Sequence, residues 1–205
     1  MSETAGEDHG YEAASAAFIA HRKNSTIGVA TTADWAAQLP PGGRVLDLGC
    51  GSGVPITRVL VDAGLSIHAV DASPAMAAAF RERYPHIPLE CASAVHSSFF
   101  NLSFDGILAW GLIFLLPADE QATLIRKMAR ALKPGGRLMF TAPAQKCTWK
   151  DVLTGEESMS LGRDAYRALL EAENLKVVGE AEDEGDNHYY FAQPALQVRS
   201  LAQMP

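Results

Sequence analysis

The sequence predicts an α/β protein whose mostly parallel sheet is covered by helices on both faces. Short apolar segments alternate along the chain with longer amphipathic segments, the order that produces parallel strands joined by helices. The first apolar segment, from residue 44 to 48, leads into a glycine-rich turn and then a helix start. Nearly half of the 205 residues are hydrophobic (48%), enough for the core of one domain of this size.

The elements follow from local signals. Gly64 ends the helix that follows the first strand, and Ser73-Pro74 supplies an N-cap and a first-turn proline for the next helix. Lys133–Gly136 reads as a turn, and Glu184–Asn187 reads as the turn of a final antiparallel hairpin. The predicted order is helices 11–22 and 27–38, strand 44–48, helix 55–63, strand 66–70, helix 74–84, strand 87–90, strand 104–110, helix 117–132, strand 137–142, helix 162–173, and strands 176–181 and 188–193.

One stretch, residues 143–161, carries no clear periodicity and is predicted to be irregular. A loop of this length in a compact domain is usually functional. Because it follows the fifth strand at the carboxyl edge of the sheet, we expect it to cover a substrate site.

Charge and cysteine usage exclude several classes of protein. Residues 151–205 hold eleven acidic and four basic side chains, and no basic patch occurs, so we expect no nucleic-acid partner. No apolar run approaches the ~20 residues of a membrane span, and the acidic Met1–Asp8 segment does not resemble a secretory leader. Three cysteines without paired spacing favour a reduced, cytoplasmic protein. No pattern indicates an oligomeric state.

The segment Val45–Gly53, VLDLGCGSG, is the most specific motif. A dinucleotide site requires G-x-G-x-x-G, whereas here the glycines alternate and Val54 takes the place of the third one. Asp47 places a carboxylate in the turn, where it suits a cationic group better than a diphosphate. The segment resembles motif I of the class I S-adenosylmethionine-dependent methyltransferases, written (V/I)LD(L/I)GCGxG. The alternative is an ordinary strand-to-helix turn.

The resemblance implies a single domain with a doubly wound, seven-stranded, mostly parallel sheet whose last strand is antiparallel. It also implies a division into an N-terminal helical segment covering the cofactor site (1–40), the methyltransferase domain (41–195) and a C-terminal tail (196–205). The implied activity is methyl transfer from S-adenosyl-L-methionine to a small-molecule acceptor, with S-adenosyl-L-homocysteine as product.

The same resemblance implies a set of cofactor-binding residues. In the turn these are Asp47, Gly49, Cys50, Gly51 and Gly53.

Further cofactor contacts are implied at the ends of later strands. Asp71 ends the second strand beside Ala72, where its carboxylate can accept both ribose hydroxyls; the alternative is a helix cap. The family often has an aspartate after the third strand, but this chain places Ser93 and Ala94 opposite the adenine. Trp110, at the end of the fourth strand, lines the methyl-transfer pocket or packs in the core.

Two residues of the first helical segment complete the set. Arg22 is in a position from which related enzymes bind the methionine carboxylate, a pairing that suits a guanidinium. A surface arginine is the alternative. Tyr11 either folds over the cofactor or only anchors its own helix.

His188 is the candidate catalytic base, since it starts the last strand and a neutral imidazole can accept a proton near pH 7. A structural histidine is the alternative. No histidine or cysteine spacing predicts a metal site. Two other functions stay open: a catalytically silent S-adenosylmethionine-binding regulatory module, and an NAD(P)-dependent oxidoreductase, which Val54 and Asp47 disfavour.

Overall fold

The structure, a computed structural model, describes residues 7–195. Its nine strands are β1 Arg44–Leu48, β2 Ser66–Asp71, β3 Leu89–Cys91, β4 Phe104–Ala109, β5 Leu132–Thr141, β6 Cys147–Lys150, β7 Glu157–Ser160, β8 Leu175–Glu182 and β9 His188–Pro194. Its α-helices are α1 Tyr11–Arg22, α2 Val29–Ala36, α3 Ile56–Asp62, α4 Pro74–Arg83, α5 Ala118–Ala131 and α6 Arg163–Ala172.

Seven strands form one sheet in the order β3-β2-β1-β4-β5-β9-β8. Only β9 runs antiparallel within it, pairing with β5 on one side and β8 on the other. This confirms the predicted fold class, including the antiparallel last strand. Strand β1 lies at the point where the order reverses, so the turn that follows it opens at the carboxyl edge where α/β proteins bind ligands.

Alternate strand residues pack on opposite faces of the sheet. Leu46 and Leu48 contact the core under α5 and α6, while Val45 contacts the core under α2 and α3. All three side chains are fully buried. A strand covered on both faces has to be apolar at successive positions, and this is the pattern that the sequence shows in β1.

Two strands differ from their predicted bounds by more than one residue. β3 begins two residues later than expected, at Leu89. β5 begins at Leu132 because Leu132 pairs with Phe104 before the predicted turn, and pairing resumes between Gly106 and Arg137 after it. The turn residues therefore form an irregularity inside the strand, not a boundary before it.

The prediction that 143–161 is irregular was wrong. The segment contains the antiparallel pair β6 and β7, in which Trp149 lies opposite Ser158. The strands are short and mostly polar, so they lack the alternation of apolar residues that identifies a strand in a sequence. The Met159 carbonyl accepts a hydrogen bond from the buried Gln121 side-chain amide at 3.1 Å, which attaches the β6–β7 pair to α5.

The predicted final hairpin is present. β8 and β9 are joined by a turn in which the Asp183 carboxylate accepts hydrogen bonds from the backbone of Gly185 and Asn187 at 2.9 and 3.0 Å. Within residues 7–195, no helix has the length and apolar character that a bilayer crossing requires.

Candidate functional site

A cavity of about 640 Å³ opens at the carboxyl edge of the sheet. It extends from the ends of β1 and β2 past β4 to the turns that follow β6 and β8, and α1 forms one of its walls. Most of the residues predicted to bind the cofactor line it: Tyr11, Arg22, Asp47, Gly49, Cys50, Gly51, Asp71, Ala72 and Trp110.

The glycine turn is held directly against Asp71. The Asp71 carboxylate accepts a hydrogen bond from the Gly51 amide at 2.7 Å and another from the Ser73 amide at 3.0 Å. Gly51 has a φ of +54°, a left-handed conformation that side chains disfavour. These contacts fix the carboxylate at the cavity wall while leaving further oxygen lone pairs free to accept.

Burial changes the acid strength of two carboxyl groups here. It raises the pKa of Asp71 to about 6, although the two backbone hydrogen bonds oppose the rise. It also raises the pKa of Asp47 to about 7, opposed by a hydrogen bond of 2.6 Å from the Thr57 hydroxyl. Both groups thus favour a partner that donates hydrogen bonds or carries positive charge.

Arg22 is buried in the cavity wall and is not a surface residue. Its side chain is 6% exposed, and its guanidinium carbon lies 4.3 Å from the centre of the Trp110 ring. Among residues 7–195, its Nη2 has no hydrogen-bond partner. Burial lowers the pKa of this guanidinium. A buried donor without a partner is costly, so the geometry calls for an anionic ligand group at this point.

The Trp110 ring is held in place by a hydrogen bond to the β8–β9 hairpin. Its indole N–H donates to the Tyr189 hydroxyl at 2.6 Å, and that hydroxyl donates to Asp183 at 2.6 Å. The β8–β9 turn therefore positions the ring on which Arg22 lies. Trp110 is half-buried and belongs to the cavity wall, although its edge also contacts the core.

Helix α1 is attached to the rest of the site by hydrogen bonds at two points. Glu12 accepts from the Ser73 hydroxyl at 2.5 Å and from the Ala75 amide at 2.9 Å, so it caps the first turn of α4. The Tyr11 hydroxyl donates to Asp151, in the turn between β6 and β7, at 3.2 Å. Since the Ser73 amide also donates to Asp71, the helix is coupled to the Asp71 carboxylate through one residue.

Some predicted residues are not part of this wall. Among the residues that the structure describes, Gly53, Ser93 and Ala94 do not line the cavity. Gly53 lies under Tyr84, and a Cβ there would come within 2.5 Å of that ring. Ser93 and Ala94 are buried in a turn whose Ala94 carbonyl accepts a hydrogen bond from Lys127 at 3.1 Å. The close packing of the turn against α5 keeps both side chains away from the cavity.

His188 is also placed away from the cavity. It shares a face of β9 with Tyr190, as predicted, with 4.9 Å between ring centres, but that face packs towards α6. The opposite face carries Tyr189, which contacts Trp110 at the cavity. The His188 Nε2 lies 2.9 Å from the carboxylate of Glu180, which also binds Arg163. This placement favours the structural alternative over the predicted base.

We expect His188→Ala to lower the free energy of unfolding by about 1–3 kcal/mol, because it removes a buried hydrogen-bond partner of Glu180. Affinity for S-adenosylhomocysteine should change by less than about twofold, since the side chain lies on the other face of the sheet. Thermal unfolding and calorimetric titration measure the two effects. A loss of turnover at unchanged stability would restore the catalytic role.

Several residues that line the cavity were not predicted individually, although Asp151, Val152 and Leu153 fall in the 143–161 segment that was expected to cover the substrate site. The chief ones are Phe18, His21, Phe114, Leu115, Asp151, Val152 and Leu153. Phe18 and His21 lie on α1, Phe114 and Leu115 follow β4, and the last three lie in the β6–β7 turn. Their positions depend on how these three segments meet at the sheet edge. Within residues 7–195, no group of three or more His, Cys, Asp or Glu side chains is arranged to hold a metal ion.

Comparison with known proteins agrees with this geometry. A family model described as a methyltransferase domain matches residues 45–136, from β1 into β5. The methyltransferase GfsG of Streptomyces halstedii is 29% identical over 152 residues, covering 67% of this chain and 54% of GfsG. A demethylmenaquinone methyltransferase of Corynebacterium urealyticum is 40% identical over 101 residues, 49% of this chain and 41% of that protein. The chain thus spans about half the length of these curated relatives.

Solved structures share the fold at low sequence identity. The 1,6-didemethyltoxoflavin-N1-methyltransferase of Burkholderia thailandensis superposes with a TM-score of 0.67 at 18% identity, covering 92% of this chain and 91% of that one. The CcbJ methyltransferase of Streptomyces caelestis gives a TM-score of 0.66 at 17% identity, covering 82% and 90%. The matched domain begins with VLDLGCGSG, the segment that forms the turn at the cavity. The family match, the relatives and the shared fold thus show that residues 45–136 match a methyltransferase domain, within a chain that has the fold of the solved methyltransferases.

Proposed function

We propose that the protein binds S-adenosyl-L-methionine in the cavity and transfers its methyl group to a small-molecule acceptor. The observation that carries the proposal is the arrangement of three features around one cavity: the glycine turn, the Asp71 carboxylate and the unpartnered Arg22 guanidinium. Among the similar structures, the 1,6-didemethyltoxoflavin-N1-methyltransferase was solved with bound 1,6-didemethyltoxoflavin and S-adenosylhomocysteine, which supports the same ligand class here.

The nucleoside half of the cofactor fits the β1–β2 side of the cavity. Asp71 would accept the ribose hydroxyls, since backbone amides already hold its two oxygens in place. Gly51 would lie under the cofactor, where a side chain would take up ligand space. Ala72 follows Asp71 and also lines the wall.

The amino-acid half of the cofactor fits the other side. Arg22 would bind the methionine carboxylate, which would give its buried Nη2 a partner. Asp47 would bind the ammonium group, and a cation there would favour the ionised carboxylate that burial disfavours. The positive and the negative group of the zwitterionic amino-acid part would then each have a partner of opposite charge.

For this reaction the protein mainly has to position the methyl donor and the acceptor and exclude water. S-adenosylmethionine supplies an electrophilic methyl carbon on a sulfonium sulfur, with a neutral thioether as the leaving group. The side chains around Trp110 have to align an acceptor with that carbon and keep water out. No dedicated base is required when the acceptor atom arrives unprotonated.

Ligand-induced thermal stabilisation tests the proposal. S-adenosylhomocysteine should raise the melting temperature in a concentration-dependent way, whereas NAD should not, because only a ligand that binds the native state stabilises it. Stabilisation by NAD alone would favour the oxidoreductase. Incubation with isotopically labelled S-adenosylmethionine and pooled small metabolites then tests transfer itself.

Cofactor affinity should depend on pH through Asp71. The carboxylate form accepts the ribose hydroxyls, and burial raises its pKa to about 6, so affinity should fall as the pH drops through that value. Below it, the dissociation constant of S-adenosylhomocysteine should rise by up to about tenfold per pH unit. Calorimetric titration between pH 5 and 8, with Asp71→Asn as the control lacking the titrating group, measures this dependence. Equal profiles in both proteins would contradict it.

The same shift has the opposite consequence for the protein without ligand. A raised carboxyl pKa means that the folded state prefers the protonated form. The contribution of each carboxyl group to the free energy of unfolding is therefore present at low pH. It is lost as the pH rises through about 6 for Asp71 and about 7 for Asp47.

A further inference from the structure

The far half of the cavity, beyond the cofactor-binding turn, has its own chemical character. In the sheet order, β4 lies on the side of β1 opposite to β2, the strand that ends in Asp71. We call the region after β4 and around the β6–β7 turn the acceptor half and define it by Phe114, Leu115, Asp151, Val152 and Leu153. The inference below rests on the proposed function, which places the methyl donor beside it.

The walls of the acceptor half are largely apolar and aromatic. Phe114 packs against Trp149 with 5.4 Å between ring centres. Val152 is fully exposed at the mouth, and Leu153 is 39% exposed. Such walls suit an apolar ring or chain, and the aromatic faces also attract cations.

Asp151 is the charged group of this half, and it is held rigidly. One carboxylate oxygen accepts from the backbone amides of Leu153 and Thr154 at 2.8 and 2.9 Å. The other oxygen accepts from the Tyr11 hydroxyl at 3.2 Å. Across residues 7–195, no lysine or arginine pairs with this carboxylate, so its charge is not neutralised by the protein.

Two further acidic side chains and two histidines, His9 and His21, also line the cavity. Asp8 and Glu7 lie in the wall near the N-terminal end of α1. In the described part of the chain, Arg22 is the only lysine or arginine of the wall, and the proposed function assigns it to the methionine carboxylate. An anionic acceptor would therefore meet repulsion from these carboxylates, with no lysine or arginine of the described wall left to bind it.

We propose that the acceptor is a small organic cation with an apolar body, such as a protonated amine, and that the Asp151 carboxylate binds its positive charge. The methyl group goes to another, unprotonated atom of the acceptor, because an ammonium nitrogen has no lone pair. The carboxylate is already oriented by the turn, so a cation gains a charge-assisted contact without ordering a flexible side chain. The apolar walls bind the rest of the molecule. Carboxylates and phosphates of the same shape are selected against.

Three probes that share a phenylethyl group test this selection: phenethylamine, phenethyl alcohol and hydrocinnamate. They differ in the terminal group, which is cationic, neutral or anionic. Their binding is measured by ligand-observed NMR on the full chain saturated with S-adenosylhomocysteine. We expect phenethylamine to bind about tenfold more tightly than hydrocinnamate, the effect of one charge-assisted contact.

Two matched variants show whether Asp151 causes the preference. Asp151→Asn keeps an oxygen for the amides of Leu153 and Thr154 but removes the charge, so the preference for the amine should disappear. Asp34→Asn makes the same chemical change at an exposed position outside the cavity and should preserve the preference.

Each result bears on a separate claim. Failure of S-adenosylhomocysteine to bind would contradict the proposed function. If it binds but hydrocinnamate binds as tightly as phenethylamine, or phenethylamine does not bind, the acceptor class is wrong. Persistence of the amine preference in Asp151→Asn would remove the assignment of this residue.

Discussion

Asp71→Asn should raise the dissociation constant of S-adenosylhomocysteine by at least about a hundredfold. The carboxylate would accept two ribose hydroxyls, and each hydrogen bond to a charged group contributes roughly 1.5–3 kcal/mol. Two of them exceed the ~2.7 kcal/mol of a hundredfold change. In addition, the amide nitrogen must face either the Gly51 or the Ser73 amide, so one backbone donor loses its acceptor.

Calorimetric titration with S-adenosylhomocysteine measures this effect, and a thermal melt confirms that the variant is folded. Asp34→Asn is the matched control, because Asp34 is exposed on α2 and does not line the cavity. The control should bind like the parent protein. A folded Asp71→Asn protein with affinity within about threefold of the parent would remove Asp71 from the cofactor site.

The parts of this site that were predictable are those fixed by local sequence. A strand buried on both faces has to be apolar, and the turn after it has to contain glycine where backbone conformation or ligand contact requires it. VLDLGCGSG meets both requirements in nine residues. Asp71 was predictable because the carboxyl ends of parallel neighbours meet at one edge, and β1 and β2 are paired along their whole shared length.

What could not be predicted depends on contacts between distant segments. Glu12 caps α4 across 61 residues of sequence, and Tyr11 reaches Asp151 across 140. Neither residue has a local signature, because an exposed helical carboxylate and a first-turn tyrosine are common. The polar β6–β7 pair was missed for the same reason, although the segment that contains it, residues 143–161, was expected to cover the substrate site.

His188 shows the limit in another form. Period-two alternation correctly placed His188 on the same face of the strand as Tyr190. The alternation does not indicate which of the two faces points towards the cavity. That depends on β9 lying between β5 and β8, with Tyr189 directed at Trp110. A choice between two faces thus required the tertiary structure, and the histidine belongs to the face that packs on α6.

Gly51→Val should abolish detectable binding of S-adenosylhomocysteine while the protein stays folded. Gly51 lines the cavity, and a Cβ built there meets only the edge of Phe18, at 3.6 Å. The new side chain would therefore point into space that the protein leaves open, which the proposed function assigns to the cofactor. A left-handed conformation at a non-glycine residue costs about 1–3 kcal/mol, less than the stability of a typical domain.

Gly64→Val separates this ligand effect from the backbone strain. Gly64 follows α3 with a φ of +71°, and nothing lies within 4 Å of a Cβ built there, so it carries a similar strain outside the cavity. Both variants should lower the melting temperature to a similar extent, but only Gly51→Val should lose affinity. Equal affinity in the two variants would mean that the cofactor does not approach the turn after β1. The roles proposed for the motif, the Asp71 carboxylate and the Arg22 guanidinium all require the cofactor to lie against that turn. The proposed binding mode would therefore be wrong.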